Sequence, residues 1–301
     1  MNATNTAPAA SPEAKIKKLI GSIRNLPTPP IVFEQIQKVL NNPDTSVGDV
    51  ASILSEDPAM SVKVLKLTNS AFYGLQREID SVKHAVMIIG LEAVRNLVLS
   101  ASVLNMFKAN DSNKDYHETF WRHSLSAAFA CRLVAKNFRR GEVFNPDPAF
   151  STGLIHDIGK MIICCFLQDE HEKIVAAMAE NPDKSEYQIE FSILGFDHAM
   201  LGRELARNWK LPDRMADAIG YHHNPAVPND SEDFAYLISL GDYVAHMSTI
   251  ADSDDAPEKY VIPQQVFDFF GLSDDDLTGL RGQLIEEYMK AETFLKIAGL
   301  G

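Results

Sequence analysis

The chain has 301 residues, of which 46% are apolar and 23% charged, with a formal net charge of −13. That composition belongs to an ordinary soluble globular fold able to bury a sizeable core, and no stretch approaches the ~18 consecutive apolar residues of a membrane span. The acidic balance disfavours nucleic acid as the main partner, because phosphate contacts need clustered Lys and Arg. The nearest such cluster, Lys136 to Arg140, is interrupted by Asn137 and Phe138 and reads as a solvated helix end.

Residues 1–14 are polar and rich in Ala, Pro and Ser, which marks a disordered tail and not a signal peptide. Leu26-Pro27-Thr28-Pro29-Pro30 breaks the chain. An amphipathic helix with Ile31, Ile36, Val39 and Leu40 follows and stops at Asn41-Asn42-Pro43. Ser46 with Asp49 is a capping box opening Val50 to Ser55, and Asp57-Pro58 opens a helix with Val62, Leu65 and Leu67 on its buried side. These two helices form a helix-turn-helix-like unit, a geometry shared by DNA readers and plain helical corners. Lys63 and Lys66 are the only basic residues on its second helix, so the corner is the better reading. Ser81 caps a helix carrying Val82, Ala85, Val86, Ile88 and Ile89. Gly90 ends it, and Leu91 to Phe107 continues as a very apolar, buried helix.

The second half reads as helices near 117–138, 148–166, 169–180, 185–208, 212–221 and 232–249, with loops at 141–148 and 251–263. The latter loop is acidic at Asp252-Ser253-Asp254-Asp255. Two further helices, about 264–270 and 274–297, close the chain, the second capped by Ser273 with Asp276. No strand alternation interrupts this pattern. The expected fold class is all-α, an N-terminal helical bundle (15–110) packed on a C-terminal helical bundle (115–250), followed by closing helices over 264–299. Cys131, Cys164 and Cys165 lie in apolar helical patterns without CxxC spacing and read as reduced core thiols, which together with the absence of a signal peptide points to the cytoplasm.

The chemistry-bearing residues stand among apolar or small neighbours. His156-Asp157 is embedded in Leu154, Ile155, Ile158, Met161, Ile162 and Ile163, and an unpaired buried carboxylate there costs several kcal/mol, roughly, unless it finds a partner or a metal. Gly153 and Gly159, three residues to either side, leave a hollow over the imidazole that suits close helix packing or a small ligand. Lys160, three residues after Asp157, is either its local ion-pair partner or a phosphate-binding group. His123 has Ala127 and Ala130 on its face, His198 opens a helix, His222-His223 closes one, and Asp242 sits between Ile238 and Ala245. Each alone is explained by packing or by a helix dipole. Jointly they describe one metal-competent pocket, since imidazole and carboxylate suit Zn, Mn, Fe and similar divalent ions. His84, His117, His171 and His246 read as surface or packing histidines.

The order His123, His156-Asp157, Asp242 resembles the HD superfamily of metal-dependent phosphohydrolases. The spacing of His198 and His222-His223 is most similar to its HD-GYP branch, which cleaves cyclic di-GMP at a multi-metal centre. Residues from about 20 to 247 resemble a related group, the HDOD (HD-related output) domain, through Leu26 to Pro30, Asp57-Pro58, Leu65 to Ser70, Phe72-Tyr73-Gly74, Ser81 to Leu91, Trp121 to Ser124 and Gly153 to Lys160.

That resemblance implies a helical bacterial signalling module that acts by binding other signalling proteins, generally without catalysis. It implies one divalent ion on His123, His156, Asp157 and Asp242, and a second on Asp157, His198, His222 and His223, with Lys160 meeting a phosphate or nucleotide. After His223 the HD-GYP branch continues with Glu and a Gly-Tyr-Pro loop; here stand Asn224-Pro225-Ala226-Val227-Pro228. Ligand types are kept while the substrate-reading segment is gone. A non-catalytic module is therefore expected first. The rival is an active phosphohydrolase on a nucleotide or other phosphoester, in which Asp157 and Lys160 would be catalytic.

Overall fold

A computed structural model describes residues 11–24, 26–107, 113–137, 144–248 and 262–298. Residues 1–10 of the expected tail, the end of the basic stretch from Phe138 to Arg140, and the acidic loop at Asp252 to Asp255 lie outside the described residues. The described residues are helical throughout, with no strand among them.

Local capping sets many of the boundaries. α1 (Pro12–Ser22) starts inside the stretch expected as tail, because Ser11 accepts a hydrogen bond from the Ala14 amide and Pro12 presets the first turn. α2 (Ile31–Leu40) follows the proline-rich break. α3 (Val47–Ser55) opens on the Ser46–Asp49 capping box, and α4 (Pro58–Thr68) on Asp57, whose carboxylate takes the Met60 amide. α5 (Val82–Ile89) is capped by Ser81, and α6 (Leu91–Val103) leaves it at Gly90 with a 117° turn.

Two faces differ from the sequence expectation. On α4 the inward stripe is Met60, Val64, Leu67 and Thr68, leaving Val62 exposed, and on α5 Ile88 is exposed beside Met87. Apart from Lys63 and Lys66 on α4 and Lys83 and His84 on α5 both helices are largely apolar, so composition narrows the rotational phase without fixing it. The neighbours decide it: α3 packs on α5, α4 on α5 and α6.

The second bundle is built on α7 (Lys114–Asn137), which packs along α8 (Pro146–Ile155) and α14 (Glu232–Met247). The expected single helix over 148–166 is two, α8 and α9 (Ile158–Phe166), with the helical ladder loosened at His156-Asp157. The whole run Pro146–Phe166 is long and apolar enough to cross a membrane, but 83% of its most apolar window is buried inside the protein, which makes it a core element.

α10 (Gln168–Glu180) follows. The helix expected over 185–208 is also two, α11 (Glu186–Leu194) and α12 (His198–Asn208). Gly195 at φ 77° ends the first in the left-handed region, and Asp197 caps the second through the Met200 amide. α13 (Asp213–Tyr221) packs on α12 and α14.

α15 (Gln264–Phe270), α16 (Asp274–Tyr288), a 3-10 turn (Met289–Ala291) and α17 (Glu292–Ala298) close the chain. Phe294 of α17 is fully buried among Phe72, Phe129 and Phe150, where it joins α7, α8 and the segment after α4. Arg132 covers the Phe72 ring at 3.8 Å. The N-terminal bundle is thus packed on the C-terminal bundle through α6 on α8 and through this aromatic knot.

Candidate metal centre

Five elements deliver the donors. His123 comes from the middle of α7, His156-Asp157 from the α8–α9 junction, His198 from the first turn of α12, His222-His223 from the end of α13, and Asp242 from α14. The loosened turn matters. Consecutive residues of a regular α-helix point roughly 100° apart, whereas the Asp157 backbone at ψ 10° brings His156 Nε2 within 3.4 Å of Asp157 Oδ2.

All the residues singled out for this pocket from the sequence come together. On one side of Asp157, Oδ2 lies 3.4 Å from His156 Nε2 and 3.7 Å from His123 Nε2. Asp242 Oδ1 stands 3.0 Å from His123 Nε2 and 3.2 Å from His156 Nε2. On the other side, Asp157 Oδ1 lies 3.1 Å from His198 Nε2 and 3.5 Å from His222 Nε2, and His223 Nε2 is 2.8 Å from His198 Nε2. His123, His156, Asp157, His198, His222 and Asp242 are buried, and His223 is half-buried.

The donors fit a divalent ion. Two ligands held ~2.1 Å from one ion at near-right or tetrahedral angles stand roughly 3.0–3.4 Å apart, and the separations found here, 2.8–3.7 Å, bracket that range. Nε2 of His123, His156 and His222 is buried without a hydrogen bond of usable geometry, although carboxylate oxygens are close. Buried nitrogens seldom go unsatisfied without a reason.

The outward nitrogens are pinned. His156 Nδ1 donates to the Gly153 carbonyl at 2.8 Å and His222 Nδ1 to the Ile219 carbonyl at 2.7 Å, which leaves each Nε2 lone pair facing the centre. His198 Nδ1 donates to Glu190 Oε2 at 2.6 Å, the carboxylate–histidine arrangement that orients metal ligands. The donor set can therefore hold metal.

Electrostatics agree with that capacity at Asp157, Asp242, His222 and His223, whereas at His156 and His198 burial opposes charge but is outweighed by the carboxylates of Asp157 and Glu190 respectively, which raise both imidazoles. Burial opposes the charge on Asp157 and Asp242, but the imidazoles around both, and Lys160 beside Asp157, hold each carboxyl well below the usual range. Burial pushes His222 down, and burial with two neighbouring imidazoles pushes His223 far down, so both are neutral, the metal-binding form. Lys160 Nζ pairs with Asp157 Oδ2 at 2.9 Å and Glu186 Oε2 at 2.8 Å. Burial works against its charge, and those two carboxylates overcome it and hold its pKa well above the ordinary value.

Three residues escaped the sequence reading. Glu190 and Glu186 precede the site on α11, and nothing local marks them as partners of His198 and Lys160. His246, expected as a surface or packing histidine, is buried with Nε2 3.4 Å from Asp242 Oδ1 and its ring 4.4 Å from that of His123. It lies one turn after Asp242 on α14, so the Asp-x3-His spacing was a usable signal. Of the others, His117 Nε2 lies 2.9 Å from the Phe107 carbonyl oxygen and 3.0 Å from Trp121 Nε1, His171 packs edge-on against Tyr116, and His84 is half-exposed near Asp80.

The glycines serve helix packing. A Cβ on Gly159 would fall 2.1 Å from the His198 carbonyl oxygen, and one on Gly153 would meet Cys131 Sγ and the α7 backbone. Gly159→Ala should push α12 away and carry His198 with it. The expected loss is about 2 kcal/mol, in the overpacking range, with weakened metal uptake. Calorimetric melting and metal titration check this; a variant with unchanged Tm and uptake would refute the close approach.

A cavity of about 440 Å³ opens beside the centre. Its walls include Asp157, Lys160, His198, His222, His223 and Asp242, with residues 182–188 at the start of α11 lining it further. Tyr187 stacks on His223 with ring centroids 4.5 Å apart.

Comparisons with known proteins accord with this architecture. A Treponema pallidum (strain Nichols) protein of unassigned function is 24% identical over 270 residues; the match takes in 90% of this chain and 51% of that protein. The chain thus spans about half the length of that relative. Ribonuclease Y of Geobacter sulfurreducens is 25% identical over 166 residues, 54% of this chain and 25% of the enzyme. A phosphohydrolase candidate from Shewanella amazonensis SB2B superposes with a TM-score of 0.72 at 26% identity, covering 96% of this chain and 98% of that one. Residues 26–225 match the HDOD domain family, and the chain belongs to it.

Proposed function

We propose that this chain is a signalling module that works by binding partner proteins, with two divalent ions held in its HD-type pocket as a structural or ligand-sensing element and no phosphoester turnover. His123, His156, Asp157 and Asp242 would hold one ion; Asp157, His198, His222 and His223 the other. When bound, such ions supply Lewis acidity and neutralise charge on a phosphoryl group.

The observation that carries the reading is the state of Lys160. An ammonium that is to clamp a phosphate must offer its protons to it. Lys160 instead has two of its three N–H donors committed, to Asp157 at 2.9 Å and Glu186 at 2.8 Å. The segment Asn224 to Pro228, where the HD-GYP enzymes carry Glu and Gly-Tyr-Pro, supplies no replacement clamp.

An active phosphohydrolase is the second reading. The cavity favours it, since about 440 Å³ is room for a small phosphoester beside His198 and His223. Ribonuclease Y, by its name, acts on RNA; the net charge of −13 speaks against a polynucleotide here.

Incubation with cyclic di-GMP in the presence of Mn or Fe, followed chromatographically, separates the two. No linear product above the protein-free control is expected. Steady conversion abolished by Asp157→Ala would establish the hydrolase instead.

A further inference from the structure

His246 was not among the residues that the family resemblance assigned to metal, yet it lies against them. Three imidazole nitrogens surround a single oxygen, Asp242 Oδ1: His123 Nε2 at 3.0 Å, His156 Nε2 at 3.2 Å and His246 Nε2 at 3.4 Å. These are the separations of ligands sharing one ion, roughly 3.0–3.4 Å for ~2.1 Å bonds. Asp242 and His246 occupy positions i and i+4 of α14, the spacing that aims two side chains at one point from one helix face. His123, Asp242 and His246 each offer a buried ligand atom, all within 4.8 Å of one another.

We propose that His246 is a further ligand of the ion held by His123, His156, Asp157 and Asp242, completing a three-histidine, two-aspartate set that leaves this ion one open position at most. The proposal rests on the metal-holding pocket put forward above and divides its two sides by role. Catalytic sites keep a coordination position free, usually with three protein ligands, whereas structural sites are filled by protein. Five protein donors leave an octahedral ion one position at most. Of these five donors His123 and His156 do not line the cavity, whereas Asp157, Asp242 and His246 do, so His246 stands on the side of the set that faces the open space. The other side, with His198, His222 and His223 all on the cavity wall, keeps the accessible ion. The deep ion is then largely a fixed part of the core, and a ligand entering the cavity finds more open coordination at the second.

Metal titration of the full chain with Co and Zn tests this, with each equivalent resolved by chelator competition. In His246→Gln, one equivalent should bind at least about tenfold more weakly while the other is unchanged. The Co visible spectrum should shift toward lower coordination for that equivalent alone. His246→Asn serves as a second variant of different length, and far-UV circular dichroism verifies that both remain helical. His198→Ala should show the reverse pattern, weakening the other equivalent.

Wild-type protein holding two equivalents, with both variants matching it in affinity and spectrum, would overturn this inference alone. Three equivalents in the wild type falling to two in the variants would replace the shared ion by a separate one on His123, Asp242 and His246, and would also overturn it. Wild-type protein that takes up no metal would defeat this inference and the metal-holding pocket together.

Discussion

Asp157→Ala is expected to strip the protein of both divalent ions proposed for it, from about two per chain to near none, because its carboxylate would serve both. Its Oδ2 faces His123 and His156, and its Oδ1 faces His198 and His222, so one side chain contributes to both groups of donors. The variant should still fold. Lys160 keeps Glu186 at 2.8 Å and is not left as an uncompensated buried charge, which would otherwise cost several kcal/mol, roughly. Elemental analysis beside far-UV circular dichroism reads both outcomes. Asp242→Ala provides the contrast, since its carboxylate belongs to the His123–His156 side and its removal should empty that side only. Full occupancy in Asp157→Ala would show that neither of its oxygens is a ligand and would remove the bridging assignment.

Phe294→Ala should give the largest loss of stability among single core changes far from the centre. Phe294 is fully buried, with its ring 5.1 Å from those of Phe72 and Phe150 and 6.1 Å from that of Phe129. Truncating a buried Phe costs about 3–5 kcal/mol through lost transfer free energy and the cavity left behind. The site cannot collapse easily, because its walls come from the segment after α4 and from α7 and α8, which are fixed by their own packing. A fall in Tm of roughly 10 °C is expected for a chain of this size. Metal content should stay as in the wild type, since the knot lies away from the donors. A shift below about 2 °C would mean that α17 is an appendage and not a wall of the core.

Much of the helical outline is written locally. Ser46 with Asp49, Asp57-Pro58, Ser81 and Ser273 with Asp276 each close their hydrogen bonds within three residues, so a reading of neighbours suffices to place those helix starts. The missed breaks at His156-Asp157 and Gly195–Asp197 are of two kinds. Gly195 followed by Asp197 is a legible stop and start that the surrounding apolar run obscured. At His156-Asp157 nothing in the local sequence demands a looser turn; the demand comes from donors on other helices. The exposed faces of Val62 and Ile88 belong to the second kind too, because a helix with more apolar residues than one face can hold has its phase settled by its neighbours.

The chain by itself determined that the protein is all-helical, that it carries an HDOD signature, and that His123, His156, Asp157, His198, His222, His223 and Asp242 are anomalous among their apolar neighbours. Residue type and burial imply a compensating partner wherever a polar group sits in a core, so the sequence states the need. Only the tertiary structure decided how the need is met. It brought His123 and Asp242, more than a hundred positions apart, to 3.0 Å, pinned His198 through Glu190, closed Lys160 with Glu186, and drew His246 in beside Asp242. Those pairings depend on which helices pack together. Local periodicity records the face that a helix buries and carries no address for the helix it meets.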